Sequence, residues 1–156
     1  MDEPEADLRA QVRDKALQLL TRREHSFAEL RQKLLARGFS AELIEEVLEV
    51  LVQRGHLSDR RYAEALASHR AKNGYGPIYI SQELREKGVD TGIADAALST
   101  VEMSWVDIAD ARHQSRFKGQ PPQDYSDWSR RAAYLKRRGF QTEIILKVLG
   151  EWSSRG

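Results

Sequence analysis

The sequence predicts an all-α protein, built as an elongated, curved solenoid of three tandem three-helix repeats. Three glycines, Gly38, Gly88 and Gly139, recur 50 and 51 residues apart, each with a leucine four residues before it and an apolar residue directly after it. A stripe of apolar residues with the spacing i, i+1, i+4, i+5, i+8 follows each glycine, as on one face of a helix. Self-similarity at this period is typical of stacked helical repeats.

These matches set the boundaries of the repeats. Residues 1–13 form a leader and the start of the first helix, and repeats 1, 2 and 3 span residues 14–57, 58–103 and 104–156. A unit of this size buries little surface alone, so its neighbours must cover the rest. A surface made of stacked repeats suits a long or repetitive partner better than a small ligand.

Repeat 1 carries clear helix boundaries. We expect a frayed acidic leader over residues 1–7 and a first helix over residues 8–23, where apolar residues share one side. Ser26 and Glu29 have the spacing of a capping box, in which each side chain binds the other's backbone N–H. The second helix that they begin should end at Gly38, because a left-handed residue after a helix is most often glycine.

The third helices of the three repeats match at five apolar positions. In order of repeat, the fifteen residues are Leu43, Ile44, Val47, Leu48 and Leu51; Ile93, Ala94, Ala97, Leu98 and Val101; and Ile144, Ile145, Val148, Leu149 and Trp152. About 40% of the chain is hydrophobic, so fifteen apolar matches by chance are very rare. The match therefore predicts a common core face.

Repeat 2 contains the most regular helix signals. The serine–aspartate pair at 58–59 can cap a helix that runs to Lys72. Gly76 suits an N-cap and Pro77 suits the first helical position, where a missing N–H costs nothing. Gly88 then ends this second helix.

Repeat 3 is the least regular. Its first helix should begin at Trp105 and end near Gly119, before a long loop. Arg131 occupies the position that Leu30 and Ile80 hold in the other repeats. We expect Ala132 to take over the inward role there.

Composition narrows the class of protein. No run of about 18 apolar residues is present, which argues against a membrane span. The acidic N-terminus lacks the apolar region of a secretory signal, and the chain has no cysteine, so no disulfide framework is expected. These features predict a cytoplasmic protein.

The small net charge of +1 conceals a strong segregation of charge. Residues 41–59 carry one basic and five acidic side chains, whereas residues 112–138 carry eight basic and two acidic ones. Such asymmetry favours different partners at different parts of the molecule, although each single charge also fits a solvated helix surface.

The sequence predicts no catalytic or metal site and no cofactor. Its four histidines form no i, i+4 pair, and no acidic loop or cysteine cluster is typical of a metal site. The segment 74–76 lacks the third glycine and the preceding strand of a dinucleotide-binding loop. We therefore expect a binding protein rather than an enzyme.

Basic side chains beside aromatic residues form two candidate contact clusters. Such clusters suit phosphate contact and stacking, an acidic protein surface, or merely the dipoles of helix ends. The first consists of Arg60, Arg61, Arg70, Lys72, Tyr75, Arg85 and Lys87, and the second of Arg130, Arg131, Lys136, Arg137 and Arg138.

The central motif resembles the hallmark of the RecX family of recombination regulators. The matching residues are Leu57, Asp59, Tyr62-Ala63, Gly74-Tyr75-Gly76-Pro77, Ile80, Leu84 and Lys87-Gly88-Val89, and the segment from His25-Ser26 to Leu35 is similar to an earlier family segment. The resemblance covers about residues 14–150 and implies the same tandem three-helix fold.

The resemblance also implies a function. RecX proteins bind the RecA–DNA filament in its helical groove and restrain filament extension, ATP hydrolysis, strand exchange and coprotease activity, which regulates DNA repair and the SOS response. The expected partner is the RecA nucleoprotein filament, with single- or double-stranded DNA as a further contact, and we expect a monomer. Two alternatives stay open: a helical DNA-binding protein that acts without RecA, and a helical-repeat adaptor for another protein.

Overall fold

A computed structural model describes residues 3–153, and within this range the chain forms nine helices and no strands. Repeat 1 consists of α1 (Glu3–Arg22), α2 (Phe27–Ala36) and α3 (Ala41–Gln53). Repeat 2 consists of α4 (Asp59–Lys72), α5 (Pro77–Glu86) and α6 (Thr91–Ser99). Repeat 3 consists of α7 (Trp105–Phe117), α8 (Tyr125–Arg137) and α9 (Thr142–Leu149). The predicted all-α repeat fold is confirmed.

The described residues fall into two compact units, and repeat 2 contributes to both. The first unit contains the described residues up to Ala65 together with Leu84–Ala94, and the second contains Leu66–Glu83 and the described residues from Asp95 onward.

The first unit has a core of aliphatic side chains in which α1 and α2 pack against α3. Leu30, Leu34, Ile44 and Leu48 are fully buried there. The two positions within α2 and the two within α3 are each four residues apart, so each helix presents one apolar stripe to the core.

The second unit has its own core, in which α7 and α8 pack against α9. Leu135, Phe140, Ile144 and Ile145 are buried in it, and Ala71 near the end of α4 joins the same cluster. The third-helix stripe predicted from the sequence thus faces a core, with Ile44, Ala94 and Ile145 buried at equivalent positions.

The three recurring glycines all have left-handed backbones. The φ angles of Gly38, Gly88 and Gly139 are 92°, 78° and 97°, a region that side chains other than glycine rarely adopt. Their predicted role as helix ends is confirmed.

Four local predictions were wrong. Helix α1 begins at Glu3 rather than at Leu8, since its two early glutamates, Glu3 and Glu5, favour the helix N-terminus; residues 1 and 2 lie outside the described range. Helix α6 ends at Ser99 and α9 ends at Leu149, so the fifth match of the stripe, at Val101 and Trp152, lies beyond both helices.

The other two concern side chains. Only half of the capping box forms, because the Glu29 carboxylate binds Arg23. Arg131 itself occupies the core position that Ala132 was expected to take over, with 4% of its surface exposed.

None of the helices within residues 3–153 combines the length and the apolar character that a membrane span requires.

Candidate functional site

The first junction between repeats joins the start of α2 to the residues that follow α5. The Ser26 hydroxyl accepts a hydrogen bond from the Glu29 backbone N–H and donates one to the Lys87 carbonyl at 2.7 Å. A Cβ atom placed on Gly88 would lie 2.6 Å from the Cβ atom of Ala28. Only glycine therefore permits this approach, which we call the Ser26–Gly88 junction.

Ion pairs reinforce the Ser26–Gly88 junction. Two nitrogens of Arg23 donate to the Glu29 carboxylate at 3.0 and 2.6 Å, and the Lys87 ammonium lies 3.5 Å from it. Burial alone would raise the pKa of Glu29, but the hydrogen bonds of Arg23 and the charges of Arg23 and Lys87 lower it to about 2. Glu29 is therefore ionised at neutral pH and links the two repeats electrostatically.

A buried histidine completes this junction. His25 Nδ1 lies 3.1 Å from the Arg23 carbonyl, and its Nε2 lies 2.9 Å from the Lys33 ammonium. Because an ammonium can only donate, Nε2 accepts and the Nδ1–H donates to the carbonyl. Burial, with the positive charges of Arg23 and Lys33, lowers the pKa of His25, so the ring is neutral.

The second junction joins the start of α5 to the residues that follow α8. The Gly76 N–H donates to the Arg138 carbonyl at 2.7 Å, and the Ile78 N–H donates to the Gly139 carbonyl at 3.0 Å. A Cβ atom on Gly76 would lie 2.6 Å from the Gly139 carbonyl carbon, and one on Gly139 would lie 2.5 Å from the Tyr79 nitrogen. Both positions thus require glycine in this Gly76–Gly139 junction.

Arg138 holds the same junction from its side chain. Its guanidinium lies 3.8 Å from the centre of the Tyr75 ring and donates to the carbonyls of Asn73 and Gly74. Tyr75 also stacks on Tyr79, with ring centres 4.3 Å apart. The structure therefore brings together one residue from each predicted contact cluster, and it engages both in an internal contact.

Arg131 is a second basic residue whose side chain is bound within the fold. It donates to the Asp127 carboxylate, to the Gln120 carbonyl at 2.5 Å and to the Pro121 carbonyl, and it lies 3.2 Å from His113 Nε2. Hydrogen bonds from Arg130 and Arg131 lower the pKa of Asp127. Arg131 thus ties the loop before α8 to the core of repeat 3.

His113 is kept neutral by its surroundings. Since the Arg131 guanidinium can only donate, His113 Nε2 accepts and its Nδ1 carries the proton; no described group binds this buried Nδ1. Burial and the charge of Arg131 lower the pKa of His113.

The remaining predicted contact residues differ in exposure. Arg61 pairs with Glu24 at 3.1 Å and Arg70 pairs with Glu83 at 2.8 Å, a hydrogen bond that raises the pKa of Arg70. Arg130 pairs with Asp127 but keeps 62% of its side chain exposed. Five others are available to a partner, because nothing in the described part of the chain binds their side chains: Arg60, Lys72, Arg85, Lys136 and Arg137.

One basic groove was missed from the sequence. Arg116 and Lys118, at the end of α7, line it together with Arg130 and Arg131, and the carboxylates of Asp124 and Asp127 lie in the same groove. The guanidinium groups of Arg116 and Arg130 each lie 5.4 Å from the Phe117 ring. The positive charge of residues 112–138 was the only signal for it, because no motif singled out these two side chains.

The geometry supports binding through helix ends and cationic side chains. Across residues 3–153, no three histidine, cysteine or acidic side chains are grouped so that they could hold a metal ion. Repeat 2 exposes Arg60, Lys72 and Arg85, and repeat 3 exposes Lys136 and Arg137. Such charges, carried on rigid helices, suit a large anionic partner.

Comparison with protein families matches two segments of the chain. Residues 13–51 match the first three-helix domain of RecX, and residues 58–98 match the second three-helix domain of RecX. These segments correspond to repeats 1 and 2.

Similar proteins match most of the chain. The regulatory protein RecX of Halorhodospira halophila is 42% identical over 134 residues, which cover 86% of this chain and 83% of that protein. The regulatory protein RecX of Pseudomonas entomophila is 41% identical over 138 residues, covering 88% and 89%. The crystal structure of RecX from Lactobacillus salivarius has the same fold, with a TM-score of 0.76 at 23% identity, and covers 92% of this chain and 96% of that one.

Proposed function

The chain belongs to the RecX family of regulatory proteins, and from that premise we propose that it is a negative modulator of RecA. It binds the RecA–DNA filament along its groove and inhibits filament extension, ATP hydrolysis, strand exchange and coprotease activity. It thereby regulates DNA repair and the SOS response. It acts in the cytoplasm by stoichiometric binding, without catalysis, and it is monomeric when free in dilute solution.

The observation that carries this proposal is the pair of equivalent junctions. In each, the first turn of one repeat's second helix packs on the left-handed glycine of the next repeat. The Ser26 hydroxyl at the first junction and backbone hydrogen bonds at the second hold successive repeats together. Cationic side chains on repeats 2 and 3 can therefore engage a repetitive partner together. Simultaneous engagement raises affinity without any single strong contact.

The exposed basic residues of repeat 3 are the contact surface that we propose first. Lys136 and Arg137 occupy the last turn of α8, and both side chains are exposed. Arg131 and Arg138 support this surface from within, because their guanidinium groups are bound internally. Lys136 and Arg137 thus contact the filament directly, whereas Arg131 and Arg138 act indirectly by stabilising the fold that positions them.

A filament-binding assay tests the proposal. Binding of labelled chain to RecA assembled on single-stranded DNA is compared for the unaltered chain and the double variant Lys136→Glu/Arg137→Glu. We expect the double variant to bind more weakly than the unaltered chain. The difference in affinity should be larger at low salt, where charges are screened less. The matched control, Arg54→Glu/Lys147→Glu, makes the same change in net charge at exposed positions and should bind as the unaltered chain does.

Unaltered chain that fails to bind the filament would contradict the proposed function. Equal loss of binding in both double variants would contradict only the assignment to Lys136 and Arg137, since net charge would then explain the effect.

One observation favours a second function, binding to DNA without RecA. The groove of Arg116, Lys118 and Arg130 contains four cationic side chains, with Arg131 as the fourth, against two carboxylates, Asp124 and Asp127. This alternative predicts affinity for single-stranded DNA alone that falls steeply as salt rises. Loss of that affinity in Arg116→Glu/Lys118→Glu would support it.

A further inference from the structure

Each junction has an acceptor side, formed by a left-handed glycine and the carbonyl before it. Among the residues that the structure describes, this arrangement follows the second helix of all three repeats, and other described residues cover it in repeats 2 and 3 but not in repeat 1. At Gly88 and Gly139, an added Cβ atom would collide with Ala28 and Tyr79. At the equivalent Gly38, nothing lies within 4 Å of that position. Repeat 1 therefore ends in a surface of the same backbone geometry that no described residue covers.

The neighbours of Gly38 are correspondingly less covered. Val89 and Phe140, which follow the other two glycines, are 5% and 1% exposed, whereas Phe39 is only half-buried. The carbonyls of Lys87 and Arg138 each accept a hydrogen bond across a junction. Within residues 3–153, no group donates to the carbonyl of the equivalent Arg37.

This surface is positively charged. Arg37 is exposed, and partial burial together with the charges of Arg37 and Arg22 lowers the pKa of Lys15. No carboxylate in the described range lies within ion-pair distance of these three side chains. We call Arg37, Gly38 and Phe39, with Lys15 and Arg22, the open end.

The start of α8 matches the start of α2 in residue types and in capping. The first turn of α2 reads Ser26-Phe27-Ala28-Glu29, and the first turn of α8 reads Asp124-Tyr125-Ser126-Asp127. Both have an N-cap side chain that accepts from the third helical residue. An aromatic, a small and an acidic residue follow the cap in the same order.

The donor groups of this second helix start are available. The Ile78 N–H, at the second helical position of α5, donates across the Gly76–Gly139 junction. The N–H of Ser126, at the same position of α8, has no acceptor among the described residues, and Tyr125 is 58% exposed. The Asp124 carboxylate is exposed at this helix start, whereas the Asp127 carboxylate is paired with Arg130 and Arg131.

From this complementarity we propose that the open end of one copy of the chain docks the first turn of α8 of a second copy, head to tail. Ser126 then faces Gly38 as Ala28 faces Gly88, and the exposed Asp124 lies opposite Arg37, Lys15 and Arg22. The contact is heterologous, so copies add in series. It is weak in dilute solution and strengthens where copies are concentrated along one polymer.

Disulfide trapping between two single-cysteine variants tests this contact without RecA, and the chain has no cysteine of its own. Arg37→Cys is mixed with Ser126→Cys at high protein concentration under mild oxidation. The control replaces Arg37→Cys by Arg54→Cys, because Arg54 has the same backbone conformation at a helix end, before a glycine with open surroundings.

We expect the 37–126 disulfide to form several-fold faster than the 54–126 disulfide, and the difference to shrink as salt rises. Equal rates for the two pairs would overturn the proposal. So would 37–37 or 126–126 disulfides that form as fast as 37–126, because the contact would then not be head to tail. If added RecA filament is trapped by Arg37→Cys in preference to Ser126→Cys, the open end belongs to RecA and the proposal fails. Because the first comparison contains no RecA, its outcome is independent of the proposed function.

Discussion

The guanidinium carbon of Arg138 lies 3.8 Å from the centre of the Tyr75 ring. This contact covers the loop that precedes α5 and fixes the two carbonyls to which Arg138 donates. Two residues that resemble a phosphate-binding pair in the sequence thus form a latch between repeats 2 and 3.

Removal of the latch should destabilise the second unit. Arg138→Ala removes the cation–π contact and both carbonyl hydrogen bonds, so we expect the free energy of unfolding to fall by about 2 kcal/mol. Denaturant unfolding followed by circular dichroism measures the change. The neighbouring Arg137→Ala, whose side chain is exposed, should change stability by less than about 0.5 kcal/mol; equal effects of the two variants would refute the latch.

At the Gly76–Gly139 junction, the cost of backbone strain can be measured separately from the cost of a steric clash. Gly38→Ala and Gly139→Ala place a side chain at nearly the same φ angle, 92° and 97°, which costs about 1–2 kcal/mol. Only Gly139→Ala also collides with the backbone of Tyr79. Thermal unfolding should therefore show a clearly larger loss for Gly139→Ala, and equal losses would mean that the junction relaxes freely.

The buried arginine should matter more than its exposed neighbour. Arg131→Ala leaves Asp127 and two loop carbonyls without their buried partner, and we expect a loss of about 3–5 kcal/mol. Arg130→Ala removes an exposed partner of the same aspartate and should cost about 1 kcal/mol or less. Chemical denaturation of both variants decides the matter; comparable losses would show that the burial of Arg131 contributes little.

Stability should fall as pH decreases below about 6.5. His25 and His113 have lowered pKa values in the folded chain. The unfolded chain therefore binds more protons between the folded-state pKa values and the ordinary one, and protonation favours unfolding. Below about pH 4.5, protonation of Glu29, whose folded pKa is about 2, should remove further stability.

The melting temperature measured from pH 8 to pH 5 tests this expectation. His113→Asn should flatten the dependence, because it removes one of the two histidines with a lowered pKa. A melting temperature that stays constant across this range in the unaltered chain would contradict the assigned protonation states.

Features with a local sequence signature could be predicted from the sequence alone. Caps, glycine stops and apolar spacing predicted the helices, and the repeat register correctly aligned Arg131 with Leu30 and Ile80. The junctions could not be predicted, because Gly76 and Gly139 are far apart in the chain and neither signals the other. The pairing of Glu29 with Arg23 could not be predicted either, because a capping signature does not show which other side chains compete for the glutamate.

The same limit applies to the contact residues. The sequence distinguishes charge but not exposure, so Arg131 and Arg138 resembled Lys136 and Arg137. Burial and internal hydrogen bonds separate them, and the filament contacts of the exposed residues stay a prediction.

The rate of ATP hydrolysis by RecA on single-stranded DNA tests the central claim most directly. We expect the rate to fall as the chain is added, at ratios well below one chain per RecA, because each bound chain restrains several subunits of the filament. A hydrolysis rate that stays unchanged up to equimolar and higher ratios would contradict the account.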